Sequence, residues 1–189
     1  MSQVNASSVH VKERVEKSSS KLIGWIKYIF FLLFVFFIFH NVIGISKVSG
    51  LSMSPSLEDG GLIIVNKAAK YYKKPHLGDV AILTQPTEGI DIVKRIIGVA
   101  GDKVKIQEGI VFVNNEAIPE VATLGKSVDM EEVTVPDGTL FVMGDNRTPG
   151  ESLDSRDNSV GPISINNLKG YVLYSLSPFH SIPKPLVLE

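Results

Sequence analysis

Ser52 and Lys94 are the residues of this sequence whose types and settings suit nucleophilic catalysis. Ser52 lies in Gly50-Leu51-Ser52-Met53-Ser54-Pro55-Ser56, a segment rich in turn formers. Lys94 lies in Val93-Lys94-Arg95-Ile96-Ile97-Gly98, a mainly apolar run. A serine hydroxyl is a weak nucleophile until a neighbouring base takes its proton. No Ser, His and Asp pairing is apparent that would supply one. A lysine between apolar neighbours offers another route, because desolvation disfavours the ammonium and leaves a neutral amine near neutral pH. Each residue also has a plain reading. Serines beside Gly and Pro serve turns, as Ser54 does, and strand alternation points a lysine into solvent. A third polar segment runs from Gly144-Asp145-Asn146-Arg147 to Ser152-Leu153-Asp154-Ser155-Arg156. The absence of Cys excludes disulfides, thiolate metal sites and a cysteine nucleophile, and the 4 His residues have no metal-ligand spacing. Nothing in the sequence implies a metal or organic cofactor.

Two kinds of element must position these groups. Tyr28 to Ser46 contains no charged residue and has FFLLFVFFIF at its centre. As a helix this stretch measures about 28 Å, close to the roughly 30 Å of a hydrocarbon core. Trp25 and Tyr28 stand at its front edge, where amphipathic rings favour the headgroup region, and Lys27 can snorkel there. Lys12, Arg14, Lys17, Lys21 and Lys27 precede the run against only Glu13 and Glu16, although the whole chain carries −1. By the positive-inside rule the N-terminus is cytoplasmic and the remainder lies outside. The alternative is a cleaved secretory signal, with Gly44-Ile45-Ser46 as its small residues. The apolar run exceeds the usual 7–15 residues or so of such a signal, which favours a retained anchor. The organisation expected is a cytoplasmic tail over 1–21, a transmembrane anchor over 22–46 and an extracytoplasmic β-rich domain over 47–189.

Beyond Ser46 the pattern changes to short apolar runs between Gly, Pro, Asn and Asp. Leu62–Val65, Val80–Leu83, Ile90–Val99, Val104–Ile106, Ile110–Val113, Val133–Val135, Leu140–Met143 and Gly170–Leu176 are the strand candidates. Lys103–Gln107 alternates with period two, Glu108-Gly109 supplies a turn, and Ile110–Val113 returns as a hairpin. Asn114-Asn115 tolerates left-handed backbone and marks a second turn. No segment after the anchor carries a helical stripe. The fold expected is an all-β catalytic domain of many short strands, preceded by one transmembrane α-helix.

In order along the chain stand an anchor, Ser-Met-x-Pro at Ser52, Lys-Arg-x-x-Gly at Lys94, Gly-Asp-Asn-Arg at Gly144 and Asp-Ser-Arg at Asp154. This series resembles the type I signal peptidase family, from about Lys21 to Phe179, and a short chain with one anchor is similar to the members of Gram-positive bacteria. The resemblance implies a β-rich catalytic domain at the membrane surface that removes signal peptides from secreted preproteins. It implies Ser52 as nucleophile and Lys94 as general base, Ser152 as the hydroxyl orienting the lysine, and Arg95, Asp145, Asp154 and Arg156 as a charge scaffold. Met53 falls at a position of the serine box rather than acting chemically. It implies cutting after small-x-small sites, with preproteins emerging from the translocon and the lipid bilayer as partners and no nucleic acid. The chain departs from the family pattern in four places. Gly50 stands where some members carry a serine that helps form the oxyanion hole, Ser56 where threonine is commoner, and Ala100 where proline is commoner. The Thr148–Leu153 spacer is longer than usual.

Ser52 lies six residues beyond Ser46, so an extended linker would hold the nucleophile within about 20 Å of the membrane. Lys67, Lys70, Lys73 and Lys74 with Tyr71 and Tyr72 form a basic and aromatic patch, either a solvated loop or a contact for anionic headgroups. A self-cleaving regulator would carry a DNA-binding N-terminal domain instead of an anchor. A silent relative would have lost the serine or the lysine.

Overall fold

The computed structural model describes residues 4–183 apart from residue 121, with side chains from residue 21 onward. They form two units, Met1–Asn41 and Val42–Glu189. The first is one helix, α1 (Val4–Asn41). Its stretch Lys21–Asn41 is 21 residues long and apolar enough to cross a membrane, measuring about 31 Å at the rise of an α-helix. Phe30, Phe31, Leu33, Phe36 and Phe37 are all exposed, so the apolar surface runs around the helix instead of forming one stripe. Trp25 and Tyr28 meet edge to face with ring centroids 6.1 Å apart. The side chains of Lys12, Arg14 and Lys17, which carry much of the expected basic flank, lie outside the described ones.

The helix stops at Asn41, short of the Ser46 boundary that hydropathy suggests. Asn41 Nδ2 donates to the Phe37 carbonyl at 2.9 Å, which ends the helical ladder. Val42, Ile43 and Ile45 are β-branched and residue 44 is Gly, all poor in helices. Ile43–Lys47 instead forms a strand paired antiparallel with Leu62–Asn66. The segment 43–46, read as the end of the anchor, therefore lies in an edge strand of the second unit.

That unit contains β1 (Ile43–Lys47), β2 (Leu62–Asn66), β3 (Val80–Thr84), β4 (Asp91–Val99), β5 (Lys103–Gln107) and β6 (Ile110–Val113). It continues with β7 (Glu116–Ala117), β8 (Met130–Thr134), β9 (Thr139–Met143), β10 (Ile163–Ser164), β11 (Leu168–Leu176) and β12 (Phe179–Ser181). The larger sheet has the order β1-β2-β11-β3-β4-β9-β10, with β12 on β11, and the smaller is β7-β6-β5-β8. Every pairing within them is antiparallel. Besides these strands the described residues hold only short 3₁₀ turns at Ala68–Tyr71 and Ile165–Asn167. The all-β expectation holds, and the turns at Glu108-Gly109 and Asn114-Asn115 take the positive φ angles their residue types allow.

The central strand β4 lies between β3 and β9. On one side Ile96, Leu140 and Val142 pack with Ala81, Leu83 and Tyr171. On the other Ile97, Phe141 and Met143 pack against Val104, Ile106, Val111 and Val135 of the segments around the smaller sheet. Gly98 permits that second contact, because a Cβ there would stand 2.9 Å from a Val104 methyl. With both faces covered, β4 is buried from Lys94 to Gly98. Its lysine therefore cannot reach solvent by strand alternation.

Phe141 is fully buried where the two sheets meet. Phe141→Ala is expected to destabilise the protein by about 3–5 kcal/mol, since apolar burial is lost and a cavity remains. A drop in the urea midpoint of the full chain checks this.

Candidate active site

Strand register brings the three polar segments together. On β4, Lys94 pairs with Ala81 and Arg95 pairs with Met143, the last residue of β9. The loop that follows β9, beginning Gly144-Asp145-Asn146-Arg147, therefore starts beside Lys94. The Ser52 turn is bonded to the same loop. Asn146 N–H donates to the Ser52 carbonyl at 3.0 Å, and Asn146 Nδ2 donates to the Leu51 carbonyl at 3.2 Å. Met53 and Leu57 are buried in a core cluster with Ile63, Val65 and Val80, which plugs the turn into the body of the sheet. Gly50, at φ +95°, makes the approach, and its N–H donates to Asp59 Oδ1 at 2.8 Å.

Lys94 Nζ lies 2.7 Å from Ser52 Oγ. Lys94 is 3% exposed, and burial pulls its amine from 10.5 down to about 8, with Arg156 adding to the fall while Asp154 and Asp145 oppose it. As an ammonium it donates to Ser52 Oγ. Once neutral, the same short contact lets the Ser52 hydroxyl donate to the nitrogen lone pair, the geometry a general base needs.

The remaining candidate residues surround this pair. Arg95 grips Asp145 with two hydrogen bonds of 2.7 and 2.6 Å, both groups buried. Arg156 does the same to Asp154, at 2.8 and 2.7 Å. Burial alone would raise the Asp154 carboxyl. The Arg156 hydrogen bonds and charge, the Ser152 hydroxyl and the Gly144 N–H outweigh it and hold Asp154 below the usual carboxylate range. Ser152 Oγ donates to Asp154 Oδ2 at 2.6 Å, and it is Ser52 that holds the lysine amine. Ser152 thus joins the lysine's surroundings through the carboxylate whose charge acts on Lys94. A Cβ on Gly144 would collide with both Ser152 Oγ and the Ser52 carbonyl, so only glycine lets those segments close together.

Two contributions were not assigned from sequence. Asn146 ties down both carbonyls flanking the Ser52 amide, and its place in the Gly-Asp-Asn-Arg run was the available signal. Arg147, buried, pairs with Glu120 and donates to the Gly144 carbonyl at 2.8 Å. Glu120 sits in a distant loop with no signal of its own. Among the described residues no group of three or more His, Cys, Asp or Glu is placed to hold a metal ion.

An ammonium that is easier to deprotonate in the folded chain than in the unfolded one weakens the fold. The unfolded state binds more protons between about pH 8 and 10.5, so wild-type stability rises with pH across that window. Lys94→Met is expected to raise the melting temperature at pH 7 by several degrees. That gain should shrink above pH 8, as shown by melting curves at pH 7 and 9.5.

The model of the family described as signal peptidase, peptidase S26, matches residues 22–176. A signal peptidase I from Bacillus amyloliquefaciens is 36% identical over 146 residues, covering 71% of this chain and 74% of the relative. Signal peptidase I from Bacillus licheniformis is 32% identical over 188 residues, or 89% and 97% of the two chains. Signal peptidase I T from Bacillus subtilis (strain 168) is 31% identical over 187 residues, or 93% and 95%.

Proposed function

The chain belongs to the signal peptidase family, peptidase S26, as a serine endopeptidase that removes signal peptides from preproteins, and we propose that Ser52 and Lys94 perform the reaction. The observation that carries this reading is the 2.7 Å contact between a desolvated lysine amine and the Ser52 hydroxyl.

Neutral Lys94 takes the Ser52 proton as Oγ attacks the scissile carbonyl. The oxyanion forms near the Ser52 N–H, whose peptide plane is pinned by the bond from Asn146 to the Leu51 carbonyl. Collapse of this intermediate leaves an ester on Ser52, and the lysine passes its proton to the departing amine. Lys94 then activates water, which releases the ester and restores the serine. Asp154 remains ionised throughout and holds Ser152, Gly144 and Arg156 in place. Arg95 and Asp145 hold the loop after β9 against the strand that carries the base.

Lys21–Asn41 serves as a single membrane anchor. The N-terminus is cytoplasmic and Val42–Glu189 is extracytoplasmic, consistent with the excess of basic residues before the apolar run. Preproteins arriving at the translocon present their cleavage sites at that side of the bilayer. Small residues at the first and third positions before the cut are the specificity expected from the family resemblance.

The test is cleavage of a purified preprotein by the detergent-solubilised full chain, with the new N-terminus sequenced. Wild type is expected to cut after a small-x-small site. Ser52→Ala and Lys94→Ala should each lose at least ~10³-fold in rate, because the two groups act as one unit. Cutting that survives either substitution at normal rate overturns the dyad.

A further inference from the structure

We propose that Lys67, Lys70 and Lys74, with Tyr71, form a docking surface for anionic phospholipid headgroups. The inference rests on the reading of α1 as a membrane anchor.

Residues 60–78 contain 4 lysines and no acidic residue. Lys73 is already engaged. Its ammonium lies 2.8 Å from Asp79 Oδ1 and 4.5 Å from the centre of the Tyr171 ring. Lys67, Lys70 and Lys74 are exposed, and Tyr71 and Tyr72 are 82% and 71% exposed. Tyrosine rings favour the headgroup layer, where the apolar ring and the polar tip are both accommodated.

The turn that displays these side chains is built to keep its shape. Asn66 Oδ1 accepts the Ala69 N–H at 2.9 Å, and Asn66 Nδ2 donates to Tyr72 Oη at 3.2 Å. The Ala69 carbonyl accepts from both Tyr72 and Lys73, at 3.2 and 2.8 Å. Ala69 itself is buried in the core beside Tyr171. Its inward anchoring projects the charged neighbours outward.

Placement identifies the partner. Lys67 N–H donates to the Val42 carbonyl at 2.8 Å, and Asn66 pairs with Ile43. Val42 is the residue after the last one of α1. The basic turn is therefore hydrogen-bonded to the point where the chain leaves its apolar helix, at the level of the headgroups. An anionic bilayer surface supplies the complementary charge there, and its attraction decays within a Debye length. Each lysine at such a surface shifts a docking balance roughly five-fold, so the three together shift it on the order of 10²-fold.

The chain has no Cys, so Tyr71→Cys gives a single attachment point for an environment-sensitive fluorophore. The labelled full chain is reconstituted in neutral phosphatidylcholine vesicles and in vesicles with about one third phosphatidylglycerol. The expected result is a blue-shifted emission and protection from a neutral aqueous quencher in the anionic vesicles alone. Half-molar salt should reverse both, and the added changes Lys67→Gln, Lys70→Gln and Lys74→Gln should abolish them while preprotein cleavage in detergent persists. Equal emission in both vesicle types, or a lipid response that survives the triple change, overturns the proposal. Protection that occurs only in native membranes assigns the surface to a protein partner and overturns it as well. Extraction of the chain from vesicles by alkaline carbonate refutes the anchor reading, a result separable from the emission of vesicle-bound protein.

Discussion

The site turns on one buried cation, Lys94, that has no carboxylate of its own. Three arginines each hold a carboxylate: Arg95 with Asp145, Arg156 with Asp154, and Arg147 with Glu120. Lys94 is buried within the field of Asp154, Arg156 and Asp145 and joins none of the salt bridges of the described residues. One cation is thus left without a carboxylate of its own, in surroundings that favour its neutral form. Asp154 and Asp145 soften that preference from a distance while Arg156 sharpens it, and the amine comes to rest near 8. A direct carboxylate partner would keep the lysine charged and bar it from the base role proposed for it.

Most of the local architecture serves to maintain this arrangement. Pairing of β4 with both β3 and β9 covers the lysine's strand, and Gly98 allows the smaller sheet to close over the far face. The ion pairs lock the loop after β9, and Asn146 carries that rigidity to the Ser52 turn. Breaking one partner of a buried pair of this kind costs about 3–5 kcal/mol, because a charge is left uncompensated. These pairs are therefore as much a matter of folding as of chemistry. The Ser52 turn is held by apolar means as well, through Met53 and Leu57 in the core.

Several features were legible in the sequence for physical reasons. The period-two alternation and turn residues around Glu108-Gly109 specify a hairpin locally, and it forms as read. The strands at the centre of the larger sheet were visible because they are apolar runs bounded by turn formers. Strand β1 was hidden because its residues continue the hydropathy of the helix, and only pairing with β2 separates the two. The short strands β7, β10 and β12 carry too little pattern to be read without their partners. Ser52 and Lys94 stood out through spacing and resemblance, yet burial of Lys94 depends on packing from both faces of β4. Ser152 was given the role of orienting the lysine by resemblance alone, and its bond to Asp154 could not be read from sequence, because it forms only when the loop after β9 folds back on itself. The Glu120 and Arg147 pair spans two loops, and no local signal links them.

The most direct measurement is the titration of the Lys94 amine in the full chain, followed by NMR of its side-chain carbon and nitrogen next to the ammonium. Burial of this amine predicts a midpoint near pH 8, against 10.5 for an ordinary lysine. A midpoint at or above 10 would mean that Lys94 stays protonated at working pH, contradicting its assignment as the base.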